Sequence, residues 1–442
     1  MSTQALGQCP PARTLDTELA QARALYSSKR PRSRAAHEEA TSVMPGGNTR
    51  TVLYHGPFPF RVAGGHAATI RDIDGHPYLD LLGEYSAGIF GHSHPVIREA
   101  IIEALENGIN LGAHNLYEAR LARLISDRFP SIEQIRFTNS GTEANLMAIS
   151  TARAVTGRSK VMAFRGGYHG SLLYFSGADS AINAPFPYVL GRYNDIDATR
   201  ALIDEQAADL ACILVEPMMG SSGCIPATPE FLSMLRKATH DHGILLILDE
   251  VMTSRLSPGG LQGLLGFQPD LTTLGKYLGG GMSFGAFGGS RHLMEIYDPG
   301  RQDSIPHAGT FNNNVLTMAA GVAGLSRVLT ASALADLNHR GNRLRDGLNA
   351  MFFETGARLQ ATGSGSLISL HPTLTSIRSP EDLHSTDDGL RELLFLDLLD
   401  EGFYVARRGF IALSLPVTDA DVDRFITTLR GVIQRRAAFQ TG

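Results

Sequence analysis

Lysine is scarce in this chain: Lys29, Lys160, Lys237 and Lys276 are the only four among 39 lysines and arginines. Lys276 lies in LTTLGKYLGGGMSFGAFGG, a glycine-crowded stretch almost free of charge. Upstream, Asp249 closes the apolar run GILLILDE. A buried ammonium is costly unless it is paired or neutral. The common chemical use of such a lysine is a Schiff base, desolvation lowering its pKa. A carboxylate at the end of ILLIL needs a cationic or donor partner for the same reason. A lysine for an aldehyde and a carboxylate for a pyridinium nitrogen are the pair that pyridoxal 5′-phosphate (PLP) requires.

Positioning these groups is the work of strands. From about Gly91 to Gly321, short apolar runs alternate with helical segments: QIRFTN, KVMAFRG, ACILVEP, ILLILDEV, LTTLGK and SFGAFGG. Such runs predict an α/β domain with a mainly parallel sheet covered on both faces. Ligands of open α/β sheets bind at the carboxyl ends of the strands. After QIRFTN come Ser140, Gly141 and Thr142, opening a helix whose N-terminus can hold a phosphate; the spacing of Ser140 to Glu143 equally fits a capping box. After KVMAFRG comes Tyr168 between glycines, a ring able to lie on a pyridine or simply an exposed turn residue. Glu216 follows ACILV, Asp249 follows ILLIL, and Lys276 follows LTTLG. One polar group per strand end is what gives the series its weight.

The rest of the chain frames this domain. With 442 residues, two or three structural units are expected. Residues 1–82 read as an arm or surface helix up to about Arg32 and then a small antiparallel meander from Phe60 to Leu82, packing with the last unit. Residues 83–332 form the large domain, and 333–442 a smaller α+β domain with the helix ADLNHRGNRLRDGLNAMFFETG, strands in LISLHP and FIALSLP, the helix RELLFLDLLDEG, and a closing helix from about Asp419 with an acidic start. A formal charge of −5 argues against nucleic acid. Three cysteines suit a reducing compartment, and neither a membrane span nor a signal peptide is read, so a cytoplasmic protein is expected. GMSFG, the paired histidines around Ser93 and Asp241, and Cys224 are discounted as chemistry.

SGTEA, GGYHG, EPM, DEVMTSR, LGKYLGGGMSFGAFGG and HAGTFNNN together resemble the class III (ω-type) aminotransferases of PLP fold type I, over nearly the whole chain. The subgroup they resemble most is the bacterial β-phenylalanine aminotransferases, with glutamate-1-semialdehyde aminomutase as a cousin. The resemblance implies a seven-stranded-type sheet and a PLP-dependent transaminase acting on an aromatic β-amino acid such as (S)-β-phenylalanine, with 2-oxoglutarate or pyruvate as acceptor. It implies that Lys276 forms the Schiff base, Asp249 holds the pyridinium, Tyr168 stacks on the ring, and Gly141 and Thr142 cradle the phosphate beside Ser140, with Glu216 near the cofactor. Thr310 would reach the phosphate across a homodimer interface, making the active sites shared. Arg50, in the NxRxV-like segment, would take the carboxylate of a β-amino acid, and Arg408 that of the acceptor, leaving Arg407 as the less suitable of the adjacent pair. Two departures stand out: DEVMTSRL where many relatives read DE-V-x-T-G-F, and EPMMG with Met219 at a commonly polar place. FNNN, in place of an SGNP-like stretch, weighs against the alternative of an intramolecular aminomutase; an ω-amino acid transaminase of other specificity is the remaining alternative.

Overall fold

The computed structural model describes residues 14–176 and 180–439, so the start of the expected N-terminal arm lies outside the described residues. Its described part is the helix Leu15–Lys29, capped by Thr14, whose hydroxyl accepts the Thr17 N–H. A second helix, Pro31–Thr41, begins with proline where a missing N–H costs nothing.

The large domain is a seven-stranded sheet. In spatial order it runs Gln134–Thr138, Gly285–Gly289, Leu271–Gly275, Leu245–Asp249, Leu210–Val215, Lys160–Phe164 and Tyr188–Gly191. Gly285–Gly289 is antiparallel to both neighbours, and the other pairings are parallel. Leu210–Val215 and Leu271–Gly275 are buried at every residue, as expected for strands with helices on both faces. The fold is thus the α/β type read from the sequence. Tyr188–Gly191 is an addition: four residues behind the proline-broken NAPFP, on the sheet edge, too short to carry a periodic signal.

The meander consists of Val62–His66, Thr69–Asp72 and Pro77–Asp80. Phe403–Tyr404 joins it as a fourth strand, parallel to Pro77–Asp80. Two distant parts of the chain therefore share one sheet. In the last third, Gln360–Ser364, Leu367–His371 and Phe410–Ala412 form an antiparallel sheet. The helices Ala331–Thr355, Asp388–Asp400 and Asp419–Arg435 bury their apolar residues with it. Thr418 and Asp421 close a capping box at the start of the last helix. Gln360–Ser364 and Phe403–Tyr404 carry too little apolar pattern to be read from sequence. No single helix among the described residues is long and apolar enough to cross a membrane.

The departure DEVMTSRL has a structural use. Arg255 is completely buried without a carboxylate. Its guanidinium donates to the Ser366 hydroxyl at 3.0 Å, to the Ser86 carbonyl at 3.3 Å and to the Leu413 carbonyl. One side chain thereby ties the segment after Asp249 to the smaller domain.

Candidate active site

Strand ends deliver the polar groups to one edge. Asp249, the last residue of its strand, is 5% exposed. Its Oδ2 accepts from Asn145 Nδ2 and from His169 Nδ1, both at 2.8 Å, and its Oδ1 accepts the Val251 N–H at 2.9 Å. Asn145 is itself oriented by the Thr273 hydroxyl, which donates to its Oδ1 at 2.7 Å. The carboxylate is held so firmly that its direction is set before any ligand arrives.

Lys276 follows Gly275 directly and takes a left-handed backbone, with φ of 57°. Its Nζ donates to the Tyr85 carbonyl at 2.6 Å. Burial pulls its pKa down to about 8, and the Arg408 charge pulls the same way, while Asp249 and Glu84 oppose them. Near pH 8 the amine is therefore about half free base, the form that a nucleophile on an aldehyde must take.

Ser140 caps the helix Gly141–Thr156, accepting the Glu143 N–H at 3.2 Å on its hydroxyl, and its carbonyl accepts the Ala144 N–H. Those two bonds leave the N–H groups of Gly141 and Thr142 for an anion. The full capping box does not form: Glu143 reaches the Asn139 N–H at 2.8 Å instead of that of Ser140. A Cβ on Gly141 would stand 2.9 Å from the Val251 side chain, so this corner is closed to any larger residue.

Glu216 lies buried one strand away and accepts the N–H groups of Tyr168 at 3.0 Å and Gly220 at 2.9 Å. Burial pushes its pKa up to about 7. It fixes the turn carrying Tyr168, a residue 43% exposed whose ring packs edge-on to Tyr174 at 5.3 Å.

Arg50 and Arg408 meet on Tyr85. The Arg408 guanidinium lies 5.0 Å from the Tyr85 ring centre and that of Arg50 5.9 Å. Phe410 stacks on the same ring at 5.9 Å with planes 9° apart, and the Tyr85 hydroxyl donates to the Val52 carbonyl at 3.0 Å. Arg50 is in contact with Glu84, an exposed pair. Arg408 has no carboxylate partner, and its Nε is buried without a hydrogen bond. Arg407 is fully engaged, with Asp388 at 2.6 Å and Glu392 at 3.1 Å. Thr310 is exposed, in a turn before the helix Val315–Ala323.

Tyr85 sits in an unusual turn. Gly83, Glu84, Tyr85 and Ser86 all have left-handed φ, at 53°, 49°, 51° and 76°. Sequence reasoning passed over Tyr85, Glu84, Asn145 and His169. His169 was next to a residue already singled out, and Asn145 lies one helical turn after Gly141, on the buried side of that helix. Nothing in GEYS marks a strand end, so Tyr85 had no comparable signal. Among the described residues no cluster has the makings of a metal site.

These residues fit PLP. Asp249 Oδ1 accepts one N–H and retains a lone pair for a ring N–H, Lys276 offers an amine that burial makes easier to deprotonate, and the helix at Gly141 offers N–H groups for a phosphate. The family model for class III aminotransferases matches residues 54–433. The chain is 51% identical over 419 residues to the beta-phenylalanine transaminase of Variovorax paradoxus, spanning 95% of this chain and 96% of that protein. It superposes on the crystal structure of a beta-phenylalanine aminotransferase from Variovorax paradoxus with a TM-score of 0.95 at 50% identity, covering 97% of this chain and 100% of the other. A glutamate-1-semialdehyde 2,1-aminomutase of Methanothermobacter thermautotrophicus is 38% identical over 387 residues, 85% of this chain and 91% of that protein. The chain belongs to the class III aminotransferases, PLP-dependent enzymes of fold type I that move an amino group from a donor to a keto-acid acceptor.

Proposed function

We propose that this enzyme transfers the amino group of an aromatic β-amino acid, such as (S)-β-phenylalanine, to 2-oxoglutarate or pyruvate. The observation that carries the reading is the convergence of Arg50 and Arg408 on the Tyr85 ring, whose own carbonyl holds the Lys276 amine. Two separate guanidinium groups give a carboxylate two places to bind at different distances from the reacting carbon. In a β-amino acid the amine-bearing carbon is one bond further from the carboxylate, which suits Arg50, and Arg408 then serves the acceptor. Glu84 occupies Arg50 only as an exposed pair, worth at most about 1 kcal/mol, so a substrate carboxylate displaces it at little cost. Similarity to the beta-phenylalanine transaminase supports the same donor.

Bound PLP supplies the aldehyde that captures the amine and a ring that accepts electrons from the reacting carbon. Asp249, its orientation locked by Asn145 and His169, would hold the ring nitrogen in its protonated form. With PLP bound, the Lys276 amine would be the general base that moves a proton at the amine-bearing carbon of the substrate. Gly141 and Thr142 anchor the phosphate through backbone N–H groups, and Tyr168 covers the ring. We assign Thr310 to the phosphate of the neighbouring subunit in a homodimer with shared sites; its exposure and that of Phe311 support this. Mixing Lys276→Ala subunits with Thr310→Ala subunits restores activity if sites are shared.

The direct test mixes holoenzyme with racemic β-phenylalanine and no acceptor. The long-wavelength absorbance of the holoenzyme falls and 2-oxoglutarate restores it, with one enantiomer left unconsumed under turnover. An unmoved spectrum removes this donor. Product from glutamate-1-semialdehyde without any keto acid establishes the aminomutase instead.

A further inference from the structure

Beyond Arg408 lies a partly open cavity of about 520 Å³, walled by Arg165, Arg391, Arg408, Ser222, His371 and Glu381 among others. None of the three arginines forms an ion pair among the described residues. The Nε atoms of Arg391 and Arg408 are buried and lack any hydrogen-bond partner. Arg391 is left free because its neighbour Asp388 is already bound to Arg407 at 2.6 Å. His371 is 2% exposed, with Nδ1 unpartnered and Nε2 hydrogen-bonded to the Thr362 hydroxyl at 2.8 Å. Burial lowers its pKa to about 4, so it brings a polar atom and no charge. Glu381 is the one carboxylate in the wall, its two oxygens also buried without a hydrogen-bond partner, and against it the three guanidinium groups leave two positive charges in excess. Each orphaned buried donor costs about 1–3 kcal/mol, a cost that an anionic ligand removes. Arg408 belongs both to this wall and to the Tyr85 platform beside Lys276, so the cavity continues from the substrate site.

We propose that this cavity receives the second carboxylate of a dicarboxylic keto acid, with Arg391 as the cation that holds it. The ligand matches in charge: a dicarboxylate brings the two negative charges that the wall lacks. A monocarboxylic acceptor engages Arg408 and leaves Arg391 unmet. The proposal rests on the aminotransferase reading of the Lys276 site and makes 2-oxoglutarate, not pyruvate, the preferred acceptor class.

The test reads the reverse half-reaction, so it does not depend on the identity of the β-amino acid. Holoenzyme is mixed with L-glutamate or with L-alanine, the amino acids corresponding to 2-oxoglutarate and pyruvate, and the absorbance change gives kcat/KM for each. In Arg391→Met the glutamate-to-alanine ratio falls about 10–100-fold, the loss expected for a charge-assisted pair. Arg391→Lys recovers part of the ratio, because the charge remains but the fork is lost. An unchanged ratio in Arg391→Met, whether both rates fall together or neither does, overturns the proposal. A wild-type enzyme that reacts with alanine and not with glutamate overturns it too. Failure of the β-phenylalanine reading shows separately, as a spectrum that responds to glutamate and not to that donor.

Discussion

Arg407 and Arg408 are adjacent, identical in type and opposite in surroundings, so exchanging each for methionine separates recognition from stability. Arg408 has no carboxylate to lose; it gives up contacts with the Tyr85 and Phe410 rings, 5.0 and 5.7 Å away, worth about 0.5–1 kcal/mol each. Relief of a buried, unpartnered Nε offsets that, so Arg408→Met leaves stability within about 1 kcal/mol. Its effect falls on the substrate. Two hydrogen bonds from a charged fork contribute roughly 3–4 kcal/mol, so kcat/KM for the keto acid falls about 10²–10³-fold. The same change removes a positive charge that helps hold the Lys276 pKa down at about 8, so the limb of the pH profile set by that amine moves to higher pH. Arg407→Met does the reverse. It strips Asp388 and Glu392 of a cation, Glu392 keeping Arg23 at 2.5 Å, and costs about 1–3 kcal/mol of stability with KM little altered. Steady-state kinetics and thermal melts of the two holoenzymes decide it. A KM effect in Arg407→Met with only a lowered melting point in Arg408→Met refutes the assignment.

Asp249→Asn replaces one acceptor oxygen by a donor, so the three N–H groups aimed at it cannot all be met; kcat falls about 10²–10³-fold and stability by about 1–3 kcal/mol. A kcat within tenfold of wild type counts against its role on the ring nitrogen. Loading of the apoprotein with PLP accelerates as pH rises towards about 8 and then levels, because the neutral amine of Lys276 is the reactive form; stopped-flow rates still climbing at pH 10 would indicate an ordinary lysine. The same depression lets the apoprotein gain stability as pH rises from about 8 towards 10.5, since unfolding there takes up a proton, a trend visible in denaturant titrations and absent in Lys276→Met. Arg255→Met strands the Ser86 and Leu413 carbonyls in a dry interior and costs about 2–4 kcal/mol, less than the sum of its bonds because the buried cation goes too. Chemical unfolding showing a loss under 1 kcal/mol would contradict that view of the DEVMTSRL departure.

Strands buried on both faces announce themselves as apolar runs, and the groups at their ends stand out because a charge after such a run needs a reason. That is why Asp249, Glu216 and Lys276 were legible. Short edge strands such as Tyr188–Gly191 and Phe403–Tyr404 were not, since two to four residues cannot show a period. Arg50 and Arg408 were legible as candidates from their surroundings, a turn-rich segment followed by aromatics and the approach to a strand, and the resemblance gave them roles; nothing in ARRG itself distinguishes the first arginine from the second. Their difference comes from Asp388 and Glu392, which reach Arg407 from the helix Asp388–Asp400. Tyr85 was hidden for a similar reason: its importance lies in neighbours from three separate segments, around Arg50, Lys276 and Arg408, none close in sequence.

The Gly83–Ser86 turn has a consequence for how the enzyme is held together. Three consecutive non-glycine residues with left-handed backbone cost about 3–6 kcal/mol locally, so a free segment of this sequence would abandon the shape. What holds it arrives from elsewhere: the Ala412 carbonyl fills the space where a Gly83 Cβ would stand at 2.5 Å, Arg255 grips Ser86, and Phe410 lies against Tyr85. Two of these contacts come from the smaller domain and one from the larger. The turn that seats both arginines and accepts from the Lys276 amine is thus held only where the two parts of the chain meet, so reactivity and discrimination depend on the same joint.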